Sequence, residues 1–223
     1  MRGGARVALM KFGCLGCLVL TLILAVVLVG GAAALFFGGS IFEAPAVPTA
    51  TYSAADGYRA QEKLFEIVWR EAGRSTRRDP IVITDQELNA FLATYLEQKE
   101  GLPLSPLVVR LLPDTVEVRG QTAFKHLFKG FPFYFLPNYL PVSTMDRPVW
   151  VTVRGTIRLD RDRTRAARKY GRLEVKEFSL GTQDVGAWLL ALLLGQDRLR
   201  WEVPAIVETI KTQDGRILIS SAG

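Results

Sequence analysis

Cysteine and histidine are nearly missing from this 223-residue chain, which holds two cysteines, Cys14 and Cys17, and one histidine, His126. No cysteine follows Cys17. A disulfide framework is therefore excluded for the rest of the chain, whose stability must come from a core. His126 stands beside Lys125 and near Lys129, with no second histidine and no cysteine close in sequence. That leaves no zinc set, and His126 reads as a solvated loop residue. A Gly-x-Ser-x-Gly elbow, a phosphate-binding glycine loop and a His-Glu-x-x-His helix are all absent, which removes the common signatures of hydrolases, nucleotide enzymes and metalloproteases. Acidic residues are missing altogether before Glu43.

What fills that acid-free region is an uncharged run from residue 12 to residue 42, almost solid Leu, Val and Ile between 17 and 29. A helix rising about 1.5 Å per residue needs roughly 20 apolar residues to cross the hydrocarbon core, and residues 12–37 supply them. Arg2, Arg6 and Lys11 precede the run. The positive-inside rule then puts residues 1–11 in the cytoplasm and everything after the span outside the cytoplasm, as a single-pass membrane protein. Ala32, Ala33 and Ala34 keep open the alternative of a cleaved signal peptide, although the run exceeds the usual length of about 7 to 15 residues. Cys14 and Cys17 form a Cys-x-x-Cys at the cytoplasmic edge, where no surrounding fold supports redox or metal chemistry; they read as small apolar residues of the span.

Residues 38–51 are an Ala/Pro-rich linker. Residues 52–223, about 170 in all, suit one extracytoplasmic domain with a sizeable core. Of the net charge of +6, three positive charges precede the span, leaving +3 for the remainder, and this weak balance disfavours a nucleic-acid partner.

The domain opens with two helix signatures. Ser53 with Asp56 forms a capping-box pattern, followed by Tyr58, Phe65, Val68 and Ala72 at helical spacing, with Leu64 and Trp69 widening the stripe predicted to be buried. Thr84 with Glu87 repeats the pattern after a short strand at 81–83, and Leu88, Phe91, Leu92 and Tyr95 share the next helix face. The period then changes to two. Alternation at 116–120, 149–154 and 173–177 predicts strands of an antiparallel sheet, with turns at Pro113-Asp114 and along 160–169. The echo of Val-Glu-Val-Arg-Gly at 116–120 in Val-Thr-Val-Arg-Gly at 151–155 is what amphipathic strands converge on, with an internal duplication as the alternative. Residues 185–194 are apolar all round and too short to span a bilayer, which predicts a core or surface-lying helix. Pro204 is placed to start another helix carrying Ile206, Val207 and Ile210, and Asp214-Gly215 turns into a last strand with Ile217 and Ile219.

An anchor, a short strand, the capped helix Thr-Asp-Gln-Glu-Leu-Asn-Ala-Phe-Leu at 84–92, amphipathic strands, Gly181 before an apolar helix, Pro204 and a terminal Asp-Gly-Arg strand together resemble small anchored bacterial proteins of the YpmS and YceB type. Those are similar to the tubular lipid-binding (TULIP) superfamily. The resemblance covers most of 81–220 and implies an α+β fold in which a curved antiparallel sheet packs around helices and leaves an apolar groove. It carries over no catalytic residue.

The candidate sites follow. Seven aromatics crowd 124–139 around Pro132 and Pro137, either plugging a core end or offering an apolar surface. Phe131, Phe133 and Phe135, with Trp188 and Leu192 of the apolar helix, are the groove-lining candidates for a lipid or other apolar ligand. Eight basic residues occupy 154–172. Of these, Arg161, Arg163, Arg165 and Arg168 are the candidates for contact with anionic headgroups, the alternative being a solvated turn in which Asp160 and Asp162 balance the charge. The chain thus reads as a non-enzymatic, membrane-anchored lipid-binding domain without cofactor or metal. A protein-interaction or envelope-assembly module is the alternative, and an unrecognised hydrolase pair among scattered acids stays open.

Overall fold

A computed structural model of the chain describes residues 39–46, 51–96, 104–128, 141–161, 168–194 and 199–221. The uncharged run at 12–37 lies outside them, and among the described residues no helix is long and apolar enough to cross a membrane. The chain divides into two units, Met1–Ile41 and Phe42–Gly223, and the second carries an α+β architecture with antiparallel sheets.

Both capping patterns form. At the start of α1 (Ala54–Glu71), Asp56 Oδ2 accepts the Ser53 backbone N–H and the Ser53 hydroxyl, each at 2.7 Å. Strand β1 (Ile81–Thr84) runs straight into α2 (Asp85–Leu96). There the Thr84 N–H donates to Glu87 Oε2 at 2.9 Å while the Glu87 N–H donates to Thr84 Oγ1 at 3.2 Å. Each box satisfies donors that a helix start otherwise leaves orphaned.

Among the described residues, seven further strands and two short α-helices follow before the terminal strand. These are β2 (Leu107–Leu112), β3 (Thr115–Ala123), α3 (Val142–Met145), β4 (Pro148–Arg161), β5 (Lys169–Leu180), β6 (Gln183–Asp184), α4 (Ala187–Leu194), β7 (Arg200–Val203) and β8 (Val207–Gln213), closed by β9 (Arg216–Ser221). They make a three-stranded sheet, β1-β9-β8, and a larger sheet, β2-β3-β4-β5-β6, with β7 also on β5. All pairings are antiparallel. The echoing segments are neighbours: Val116 pairs with Gly155 and Gly120 with Val151, so each runs back along the other. Their glycines admit close approach, since a Cβ on Gly155 would lie 2.6 Å from the Glu174 carbonyl oxygen, at a β-bulge in the β4–β5 ladder.

The helix expected from Pro204 is strand β8. A bulge between Val207 and Thr209 breaks its alternation, leaving Ile206, Val207 and Ile210 at spacings that imitate a helix. The predicted face of α1 is also corrected. Tyr58, Phe65, Val68 and Trp69 are exposed, while Ala60 and Ile67 are buried on the opposite side. Small residues decide this, because a Cβ on Gly57 would already touch Ala90 at 3.5 Å, so α2 lies close against that side.

One core joins Ile67 of α1 to Ile81 and Ile83 of β1, Val109 and Leu111 of β2, Val203, Val207, and Ile217 and Ile219 of β9, with Leu64, Leu88 and Leu92 packed on it from the helices. Burial of such side chains is worth about 1.5–3 kcal/mol each. The outer edge of β2 is closed by a side chain instead of a strand. Asn89 Oδ1 accepts the Val109 N–H at 2.7 Å, and its Nδ2 donates to the carbonyls of Val109, at 2.7 Å, and Asp85, at 2.8 Å. The segment ahead of α1 is fastened to the larger sheet's side of the unit: Phe42 meets Phe124 edge-on, Arg147 lies 4.1 Å above the Phe42 ring, and Arg119 Nη1 donates to the Ala46 carbonyl at 2.6 Å.

Candidate functional site

Gly186, in the left-handed region at φ 80°, turns the chain from β6 into α4, with its N–H donated to Asp184 Oδ1 at 3.0 Å. The eight residues of α4 are Ala, Trp and Leu only. Leu189 and Leu190 are buried, whereas Trp188, a candidate ligand contact, is 69% exposed. Leu192 lies in the same helix, and its side chain is outside the described residues. Phe131, Phe133 and Phe135 also lie outside them.

The basic hairpin is in register as far as Arg161 opposite Lys169. The Arg161 side chain and all of Arg163 and Arg165 fall outside the described residues. Arg168 is half exposed, with its Nε 3.8 Å from Glu202 on β7. Beside it, Trp201 lies flat over Gly171, where a Cβ would sit 2.4 Å from the indole, and Arg200 stacks 3.8 Å above Tyr170.

Sequence reasoning missed the outward face of α1. Its exposed aromatics are Tyr58, Phe65 and Trp69, at 67%, 49% and 51% exposure, and the last two stack with centroids 6.4 Å apart. A groove of ≈ 550 Å³ opens between this helix and β1, lined by Phe65, Trp69, Arg77, Pro80 and Val82 among others. The signal lay in the pattern itself, since at about 100° per residue Tyr58, Phe65 and Trp69 fall within roughly 40° of one another, opposite Ala60 and Ile67.

Ion pairs hold the flanks of that helix. Lys63 Nζ donates to both oxygens of Glu87, at 2.7 and 2.8 Å, and Arg59 reaches Asp56 and Glu87. The Arg70 side chain is buried. Its Nε donates to Glu66 Oε1 at 3.0 Å and its Nη1 to the Asp79 carbonyl at 2.8 Å and Ser221 Oγ at 3.0 Å. Hydrogen bonds from Ser75 and Arg70 hold the Glu66 carboxyl below its usual range, and those from the Ser53 hydroxyl and N–H do the same for Asp56. For Glu87, desolvation pushes upward but the Lys63 and Thr84 bonds outweigh it, so the net shift is down.

On the solvent side of the larger sheet, Glu117 is 1% exposed beneath Arg154 and Arg119. Desolvation raises its pKa, yet the Arg154 hydrogen bond and the Arg119 charge bring it below normal. The Arg119 Nε lies 2.9 Å from Glu117 Oε1 without the alignment of a hydrogen bond, so this contact is an ion pair only. A charge-balanced sheet face of this kind is a structural lattice. His126 Nδ1 lies 3.3 Å from Thr122 Oγ1, and among the described residues no three His, Cys, Asp or Glu side chains are grouped to hold a metal ion.

Compared with family models and with curated proteins, the sequence matches none.

Proposed function

We propose that this chain is a membrane-anchored, extracytoplasmic, TULIP-like domain that takes up a lipid or another apolar ligand without catalysing a reaction on it. The observation that carries this reading is α4: eight residues that are all Ala, Trp or Leu, with Leu189 and Leu190 buried and the Trp188 ring left 69% exposed. An exposed indole is costly in water and suits an acyl chain. The finer arrangement, a curved sheet around helices with Phe131, Phe133, Phe135, Trp188 and Leu192 lining a groove, belongs to the same proposal, as does the contact of Arg161, Arg163, Arg165 and Arg168 with anionic headgroups.

The test is lipid extraction from the purified full chain after stringent detergent exchange, with mass spectrometry, beside uptake of a fluorescent fatty acid. Stoichiometric lipid and probe uptake reduced by Leu192→Asp support the proposal. Absence of both sinks it and favours the second reading, an envelope-protein interaction module. That reading draws on the edge of β1 that no described strand covers: the Thr84 N–H turns away from β9 to Glu87, so Val82, two residues earlier, presents its N–H and C=O on the same side.

A further inference from the structure

We propose that the outward face of α1 is a membrane-docking surface, on which Tyr58, Phe65 and Trp69 enter the headgroup region of an anionic bilayer while Arg74, Arg77 and Arg78 meet its phosphates. It rests on the anchored part of the reading above but not on ligand uptake.

The helix has two apolar sides, and the core uses one. Ala60 and Ile67 are buried; the opposite stripe leaves three aromatic rings about half exposed or more, together with Val68. An apolar stripe of this breadth on a folded surface marks an interaction site. Tyr and Trp pair an apolar ring with a polar tip, the combination that settles at a bilayer–water boundary. A helix with aromatics on its outer line and ion pairs along its flanks lies in that plane instead of crossing it.

Charge picks the occupant. The C-terminus of α1 is closed by Gly73 at φ +67° and by the Arg74 N–H donating to the Trp69 carbonyl at 2.8 Å, which fixes Arg74 one turn beyond Trp69. Arg77 lines the same groove as Phe65 and Trp69. Arg74, Arg77 and Arg78 are exposed. The nearby acids are mostly engaged: Glu66 by Ser75 and Arg70, Glu71 by the Ala205 N–H at 2.9 Å, and Asp79 faces Arg70 at 3.9 Å. Glu62 is exposed on the same side. Exposed cations beside interfacial aromatics match a surface of lipid phosphates.

The experiment uses the full chain with Cys14 and Cys17 replaced by Ser and Val68→Cys labelled with an environment-sensitive dye, reconstituted in phosphatidylcholine liposomes with or without phosphatidylglycerol. The expected result is a blue shift of the dye with phosphatidylglycerol, lost in the Arg74→Glu/Arg77→Glu/Arg78→Glu variant and reduced by salt. Should that variant fail to fold, Arg77→Gln alone and quenching of Trp69 by brominated lipid read the same contact. Identical, water-like emission in both liposomes overturns the proposal. So does burial of the dye that rises with protein density regardless of lipid, which reports a second copy, or a shift abolished only by reversing Arg161, Arg163, Arg165 and Arg168. Carbonate extraction reads the anchor separately: an extractable chain whose dye still enters anionic liposomes loses the anchor and keeps the docking face.

Discussion

The two sides of α1 are apolar for different reasons. The inner side is built of small or branched residues, Gly57, Ala60, Leu64 and Ile67, sized to let α2 and the core approach; the outer side carries Tyr58, Phe65 and Trp69 with half or more of their surface in water. The outer side carries the larger rings. Packing chose the inner one, because close helix contact rewards fit and a bulky ring at Gly57 or Ala60 has nowhere to go. The difference separates residues that hold the fold from residues left for something else.

The largest expected effect tests the inner side. Ile67→Ala removes a side chain from the shared core and should cost about 2–5 kcal/mol in denaturant titration of the purified chain. A loss no greater than that of an outer-face substitution would show that the burial assignment of α1 is wrong.

Next in size is Asn89, which stands in for a missing strand beside β2. Asn89→Ala leaves the Val109 N–H and C=O without a partner in a buried place, at about 1–3 kcal/mol for each unsatisfied group. Asn89→Asp separates the two bonds, since a carboxylate keeps the acceptor and loses the donor. Amide exchange at Val109 should quicken in Asn89→Ala and stay near that of the unaltered chain in Asn89→Asp, which keeps the acceptor for that N–H, and unchanged exchange in Asn89→Ala would mean that this edge is closed by something other than Asn89.

These cases also mark how far the sequence could be read. Local chemistry was legible: both capping boxes, the turns at Asp114 and Asp214-Gly215, the strands around 116–120 and 149–154, and an apolar helix ending near 194 all appear. Each rests on residues within a few positions of one another. What failed depended on partners far along the chain. The stripe on α1 offered two apolar sides, and only Ala90 on α2 tells which is covered. The bulge in β8 shifted its alternation into a helical spacing after Pro204, and only pairing with β9 reveals it. Strand β2 was not foreseen, since its run of Leu and Val at 107–112 has no clear alternation. For the candidate ligand site, Trp188 is placed on α4 and left exposed, and the aromatic segment expected beside it falls outside the described residues.

A smaller effect comes from the caps. Thr84→Ala removes the acceptor for the Glu87 N–H and should cost about 0.5–2 kcal/mol, less than Ile67→Ala. Acid should act through the same residues. Glu87 and Glu117 both have folded pKa values below the usual glutamate range, so their contribution to stability is present above that range and is lost as pH falls through the lowered folded values. Glu87→Gln should flatten the acid limb of the stability–pH curve, and an unchanged limb would remove Glu87 from it.

The smallest stability effect is the sharpest test of the comparison. Phe65→Ala and Trp69→Ala take away rings that are about half in water and stack on each other, an i,i+4 pair worth about 0.2–0.5 kcal/mol. Surface changes of this kind stay within about 0.5 kcal/mol. Rings of that size are expensive to expose and are kept here without being needed for folding, so their removal should leave the melting curve nearly in place while weakening attachment of α1 to phosphatidylglycerol liposomes. A loss of stability comparable to that of Ile67→Ala would erase the distinction between the two sides, because it would mean that the outer rings are covered by protein and belong to the core.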